Sequence, residues 1–256
     1  MVTLDNLTVS YRQHPALHHL SGHFAPGSLT AVVGPNGSGK STLLKSIMGL
    51  LPTSGGRMRV SAPRTRIAYL PQLAEIDLGF PINVHDCVLL GCWPARGAWG
   101  GVHGAQLAQV DAALQAVGLA GFERRSLGSL SSGQVQRVLF ARMLVQDADL
   151  ILLDEPFTAM DNNTMSALLA LIGQWHRQQR TVIAVLHDDA QVRRHFPQTL
   201  LLARELVAWG PTTQVMTGAN LMRARTMAEA WDETAGVCHV DPLPTQQVQP
   251  LQQVTT

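Results

Sequence analysis

The stretch Gly34-Pro35-Asn36-Gly37-Ser38-Gly39-Lys40-Ser41-Thr42 limits what this chain can fold into more than any other part of it. Gly34 to Ser41 follow the spacing G-x4-G-K-[ST], which carries meaning only between a strand and a helix. Both flanks agree. Leu29-Thr30-Ala31-Val32-Val33 is a short apolar run with β-branched residues, and Leu43 to Leu50 is apolar at helical spacing, with Gly49 near its end. The chemistry of such a loop is anion binding. Glycines let several backbone N–H groups turn inward, and the helix N-terminus adds positive potential where phosphates sit. In that arrangement Lys40 reaches the β- and γ-phosphates of a nucleotide, and the Ser41 hydroxyl is available to Mg²⁺.

A second group of residues asks for the same ligand. Asp149 to Pro156 reads as a buried parallel strand ending in two carboxylates. Asp154, at the strand end, is placed to hold Mg²⁺ through water. Glu155 points elsewhere and can polarise an attacking water. Thr181 to Leu186 is another buried strand, and His187-Asp188-Asp189 sits at its end, where ligands bind in open α/β sheets. Leu130-Ser131-Ser132-Gly133-Gln134 precedes a helical run from Val135 to Val145. It reads as a second phosphate-binding element or as a plain capped helix start.

The remaining segments frame a fold. Residues 2–11 alternate as a strand, Ala16 to Phe24 reads as a second, and Pro26-Gly27 turns into the strand that feeds the glycine loop. The expectation is an antiparallel sheet leading into a parallel α/β core. Residues 51–66 read as a hairpin or loop, and Arg66 to Leu70 as a short strand closed by Pro71-Gln72. Between Gln72 and Asp149 the pattern is mostly helical, over 83–91, 106–118 and 134–145, which predicts an inserted helical subdomain at about 73–146. Gly91 to Gly104, with Trp93 and Trp99, reads as a loop whose aromatics cap that lobe or touch a partner. Thr158 to Asp161 reads as a turn and Met165 to Trp175 as a helix. Two short strands follow, 199–202 and 205–209, and 212–231 reads as helical. From about 234 the Gln- and Pro-rich composition predicts a flexible tail.

Composition narrows the setting. At 256 residues the chain holds one large domain or a core with a subdomain. Only 14% of residues are charged and 46% are apolar, which points to a surface covered in part by a partner. A formal net charge of +1 argues against nucleic acid as the main partner. No apolar run reaches the roughly 18–20 residues that span a bilayer. The first residues lack a basic region followed by an apolar stretch, so a cytoplasmic chain docked on a membrane component is expected. Cys87, Cys92 and Cys238 read as small reduced residues rather than a disulfide framework or a C-x4-C metal pair. His14, His18, His19 and His23 read as sheet or surface histidines. His18 and His19 are adjacent and would face opposite sides of a strand, away from one tetrahedral centre.

Together these residues resemble the ATP-binding subunit of ABC transporters over roughly residues 1–230. The resemblance implies a P-loop NTPase (RecA-like) parallel-sheet core with an N-terminal antiparallel β-subdomain and an inserted α-helical subdomain, in one unit over 1–233 with a tail over 234–256. Gly34, Pro35, Asn36, Gly37, Ser38, Gly39, Lys40, Ser41 and Thr42 look like the Walker A loop. Gln72 looks like the Q-loop glutamine, Ser131, Ser132, Gly133 and Gln134 like the signature motif, and Leu150 to Asp154 with Glu155 like Walker B and the catalytic glutamate. Asp161 resembles the D-loop aspartate, His187 the switch histidine, and Tyr11 the aromatic residue that stacks on adenine. The signature departs from the family's usual Leu-Ser-Gly-Gly-Gln at Ser132. That serine is tolerated if its backbone is already helical and strained if it needs a positive φ.

The resemblance implies ATP and Mg²⁺ as cofactors, with Lys40, Glu155 and His187 catalytic and Ser41, Gln72 and Asp154 around the metal. It also implies a second copy of the chain head to tail, integral membrane permease subunits, and indirectly an extracytoplasmic metal-binding protein, at the cytoplasmic face of the inner membrane. Two stretches look like one branch of the family, the ATPases of zinc and manganese importers. One runs from Tyr69 to Gln72 and on through Asp77, Phe80-Pro81-Ile82 and Asp86 to Gly91. The other joins His187-Asp188, Val192-Arg193, Phe196 and Val207 to Pro211. Within that branch zinc is favoured over manganese, with ferric chelate or haem import next. A soluble ABC ATPase outside transport is the alternative of another class.

Overall fold

Where apolar residues alternate, strands form, and the first alternation sets the outer layer. The computed structural model describes residues 1–11, 14–93, 104–158 and 160–230. β1 (Val2–Tyr11) buries Val2, Leu4, Leu7 and Val9 and pairs antiparallel with β2 (His14–Phe24). β3 (Leu29–Val33) and α1 (Lys40–Met48) follow, and the chain then returns as β4 (Gly55–Val60) on the other edge of β1. The resulting sheet has the order β2-β1-β4. Of the hairpin or loop expected across 51–66, the structure forms one strand, β4, paired with β1. Met58 lies opposite Leu4 and Val60 opposite Val2, with Arg57 and Arg59 turned outward. The alternation is there, but glycine and arginine hide it from a composition-based reading.

β5 (Ile67–Leu70) opens the second sheet. α2 (Val84–Leu89), α3 (Gly104–Ala116) and α4 (Ser132–Gln146) then intervene before β6 (Leu150–Asp154), α5 (Asn162–Arg177) and β7 (Thr181–Val185). The remaining elements are α6 (Asp189–His195), β8 (Gln198–Ala203), β9 (Glu205–Pro211), α7 (Thr212–Val215) and α8 (Gly218–Glu229). The helical reading of 212–231 divides at Thr217, whose side chain caps α8 by accepting from the Asn220 N–H. The second sheet has the order β5-β6-β7-β3-β8-β9, parallel except for β9.

Every residue of β3, β6 and β7 is buried, because the sheet is covered on both faces. Alternate residues go to different neighbours. Ala31, Val33, Ile151, Leu153, Val182 and Ala184 pack with the inserted helices and α5. Val32, Leu150, Leu152, Ile183 and Val185 pack with α1 and the antiparallel layer. Asp154 shares the parity of Leu150 and Leu152, so the pleat turns its carboxylate toward α1.

One expectation changes at the histidines. His19 has φ 51 and interrupts the strand alternation, so the His18 and His19 rings meet edge to face with centroids 4.1 Å apart instead of facing opposite sides. Each has a polar partner, His18 Nδ1 with Glu205 at 2.8 Å and His19 Nδ1 with Asn6 at 2.6 Å. Cys87 is buried in the helical core, as a small core residue should be. Trp93 is half exposed. Trp99, Cys238 and the tail expected over 234–256 lie outside the described residues.

Gly91, at the end of α2, brings that end onto α4. A methyl group there would lie 2.3 Å from the Arg142 carbonyl oxygen. Gly91→Ala is therefore expected to lower stability by about 1–3 kcal/mol through overpacking. Urea denaturation would show this as a lower midpoint at unchanged slope.

Candidate functional site

Four parallel strands end on the same side of the sheet, and the polar residues follow at those ends. β3 leads into Gly34, β5 into Pro71-Gln72, β6 ends at Asp154-Glu155, and β7 leads through Leu186 to His187. They surround a cavity of about 720 Å³, lined by Asn36 to Thr42 with Gln72, Glu155 and His187. Ala16, from β2, also lines it, a contribution that no feature of the sequence announces.

Two glycines shape the cradle. Gly34 has φ 150, and a Cβ there would lie 1.9 Å from the Leu202 carbonyl oxygen. Gly39 has φ 89, and a Cβ would lie 2.3 Å from the Ala16 carbonyl oxygen. No other residue allows both the conformation and the approach. Gly39 is also the N-cap of α1 and has no side chain to cap it. The first-turn N–H groups of α1 thus lack an intrahelical acceptor and open onto the cavity, the usual electrostatics of an anion site.

Lys40 is buried, and its Nζ donates to the carbonyl oxygens of Gly34 at 2.9 Å and Pro35 at 2.8 Å. Burial lowers its pKa, against the opposing pull of Glu155 and Asp154. A buried cation held only by neutral carbonyls is a ready partner for a phosphate.

Asp154 has no exposed surface. Its Oδ1 accepts from the Ser41 hydroxyl at 3.0 Å, and its Oδ2 is buried with no hydrogen-bond partner of normal geometry among the described residues. Burial raises its carboxyl above the ordinary range. The Glu155 and Glu75 carboxylates add to that rise, and the hydrogen bonds of Ser41 and Gln72 oppose it. An unsatisfied carboxylate oxygen beside a hydroxyl is a hard-oxygen donor set. That suits Mg²⁺, which takes few protein ligands and keeps water and phosphate oxygens for the rest. Ser41, Asp154 and Gln72 fit that ion.

Glu155 is the meeting point. Its Oε1 accepts from Gln72 Nε2 at 2.9 Å and lies 2.8 Å from His187 Nε2, while Gln72 Nε2 also reaches the Ser41 hydroxyl at 3.0 Å. Its backbone has φ 51. A non-glycine residue in that region costs about 1–3 kcal/mol and persists only where its surroundings over-determine it. Thr158 helps, its Oγ1 donating to the Glu155 carbonyl oxygen at 3.2 Å.

A family model for ABC transporters matches residues 17–158. The chain is 42% identical over 228 residues to a manganese transport system ATP-binding protein, MntB, of Listeria monocytogenes, covering 86% of this chain and 94% of that one. This chain belongs to the ABC transporter family. It is an ATP-binding, ATP-hydrolysing chain of that family. It is 40% identical over 228 residues to a zinc transport system ATP-binding protein, TroB, of Treponema pallidum, with 87% and 86% of the two chains covered. Among solved structures, one described as an inward-facing conformation of a metal-chelate type ABC transporter superposes with a TM-score of 0.77 at 30% identity, covering 88% of each chain.

Not every residue that the ABC resemblance singles out comes to the cavity. Ser131, Ser132, Gly133 and Gln134 do not line it. They begin α4, where Ser131 Oγ accepts from the Gln134 N–H at 3.3 Å and Gln134 Oε1 accepts from the Ser131 N–H at 3.0 Å. Ser132 is the first helical residue and has no positive φ, so this departure from the usual glycine is conformationally free. Asp161 also stays outside the cavity. Its carboxylate caps α5, accepting from the N–H groups of Asn163 at 3.0 Å and Thr164 at 2.9 Å. The Thr164 N–H, foremost among these bonds, holds its carboxyl below the usual range. The Tyr11 side chain lies outside the described residues.

The raised carboxyl of Asp154 has a measurable sign. A folded-state pKa above the unfolded value means the folded chain binds more protons, so stability falls as pH rises from the ordinary carboxylate range to the raised value. Asp154→Asn removes that slope. In nucleotide-free protein with chelator, the variant should unfold at higher temperature than the parent at neutral pH, and the difference should vanish below about pH 4.

Proposed function

We propose that this chain is the ATP-hydrolysing subunit of an importer for a divalent metal ion, zinc or manganese. The observation that carries the hydrolytic part is the single carboxylate of Glu155, held by Gln72 and His187 beside the phosphate cradle. In this reading Glu155 accepts a proton from the attacking water. His187 holds the water and the γ-phosphate, and Lys40 moves from the Gly34 and Pro35 carbonyls to the β- and γ-phosphates. Ser41, Asp154 and Gln72 hold Mg²⁺, which when bound offsets charge on the phosphate oxygens. Tyr11 is assigned to the adenine.

The signature residues, being outside the cavity, serve a different nucleotide. A second copy docked head to tail would bring its Ser131 and Gly133 to the γ-phosphate of this one, as the resemblance implies. Asp161 then sits in the joint between copies. Among the described residues no helix is long and apolar enough to cross a membrane. The reading therefore places the chain on the cytoplasmic face of the inner membrane, held there by permease subunits. An extracytoplasmic metal-binding protein supplies the ion on the far side.

The metal itself rests on relatives. Relatives of this chain are named for manganese or for zinc at nearly equal identity, 42% and 40%. Within this branch the resemblance of the sequence favours zinc. No chemistry in an ATPase subunit touches the transported ion, so both stay in the proposal.

Glu155→Gln should lower turnover by ~10²–10⁴ while ATP binding survives, and the variant should accumulate as an ATP-bound dimer. Hydrolysis at the parental rate would remove Glu155 from the role. The elemental content of cells lacking the chain, grown with limiting metal, tests the rest. Zinc or manganese should fall and recover with the wild-type chain but not with Lys40→Ala. A fall in iron would shift the substrate to a metal chelate, and no change in any metal would sink the import reading.

A further inference from the structure

Glu155 is also held from behind, by a residue that does not line the cavity. α4 begins at Ser132, and Gln136 lies one turn further along it with no exposed surface, among Val135, Val138, Leu139 and Phe140 of the core. A buried primary amide is costly unless its groups are bonded. Here only one of them is. Nε2 donates to the Pro156 carbonyl oxygen at 3.1 Å, and Oε1 is buried with no partner among the described residues. The orientation of the amide follows from chemistry, since a carbonyl oxygen can only accept. A leucine or methionine would fill this site without the orphaned oxygen. What glutamine adds is one bond, and that bond goes to the residue after Glu155.

Pro156 gives the bond its leverage. Its ring restricts φ, so the direction of its carbonyl and the chain path out of Glu155 share few free angles. Glu155 has φ 51, although a residue before proline is ordinarily driven to extended conformations. Thr158 holds this turn through the Glu155 carbonyl oxygen, at 3.2 Å from Oγ1 and 3.4 Å from its N–H. Gln136 holds the next carbonyl from α4.

The same helix starts with the signature residues. We propose that Gln136 is a positioning residue for Glu155, and that it ties the helix whose N-terminus serves one nucleotide to the carboxylate that serves the other. The inference rests on the roles assigned above to Glu155 and to the start of α4.

Gln136→Met keeps the side-chain length and removes both amide groups. ATP hydrolysis would be measured across ATP concentrations in the full chain, purified with the membrane proteins that accompany it, beside Glu155→Gln and the double variant. The expected result is a kcat lower by about 10–100-fold, as for a displaced catalytic group. KM should stay within about twofold, because Gln136 touches no nucleotide. The thermal midpoint should be unchanged or higher, because the orphaned oxygen is gone. In the Glu155→Gln background the substitution should change the residual rate little, since Gln136 acts through a carboxylate already replaced. Gln136→Leu carries the same expectations and guards against one variant that packs badly. An unchanged kcat, a KM that rises in step with the loss, or an equal loss in both backgrounds would overturn the inference and leave Gln136 a packing residue of α4. Normal hydrolysis by Glu155→Gln would instead fail the assignment of Glu155 itself, and Gln136 would have nothing to position.

Discussion

A carboxylate with no exposed surface needs partners, and Asp154 has only half of them. Ser41 donates to one oxygen, and among the described residues the other has no hydrogen-bond partner of normal geometry. That single deficit organises the site. It requires β6 to end beside the first turn of α1, which the parallel order of β6, β7 and β3 secures. It requires both faces of the sheet to be covered, since only then is Asp154 dry enough to matter. A buried carboxylate oxygen beside a hydroxyl and an open helix N-terminus suits a cation that arrives with phosphates.

Glu155 follows from the same geometry by one residue. Asp154 completes the pleat of β6 and points at α1. The chain must then leave the sheet at once, and it does so through a left-handed residue followed by proline. The strain is held by bonds to Gln72, His187, Thr158 and, one residue on, Gln136. These come from different segments, so the carboxylate is placed before any substrate binds. Preorganisation of this kind is what makes a charged group effective in a partly dehydrated cavity.

The cavity is assembled by one chain but is not closed by it. The antiparallel layer contributes Ala16 at its edge, and the signature turn sits elsewhere, on α4. A helix start with a reciprocal cap between Ser131 and Gln134 is stable without a ligand, so its availability to another molecule costs the fold nothing. The bond from Gln136 to Pro156 joins the first turns of that helix, next to the signature residues, to the segment that follows Glu155.

Much of this was legible in the residues. G-x4-G-K-S between a strand and a helix, two carboxylates after a buried run, and a histidine after another point to most of the residues that gather at the cavity, because spacing along a strand or loop is local chemistry. Other features depend on neighbours distant in the chain. The register that makes β4 a strand is set by β1, and the bulge at His19 that brings two histidine rings together is set by a backbone angle. Asp161 looked like a nucleotide residue by position, and its carboxylate is spent on capping α5. Gln136 carries no motif reading of its own, since its meaning appears only when Pro156 is placed against it. The sequence by itself therefore determined the glycine loop, the two carboxylates that close β6 and the family. Tertiary structure decided which oxygen is left unsatisfied, which turn is strained and what holds it, because burial and strain are properties of packing that no single segment contains.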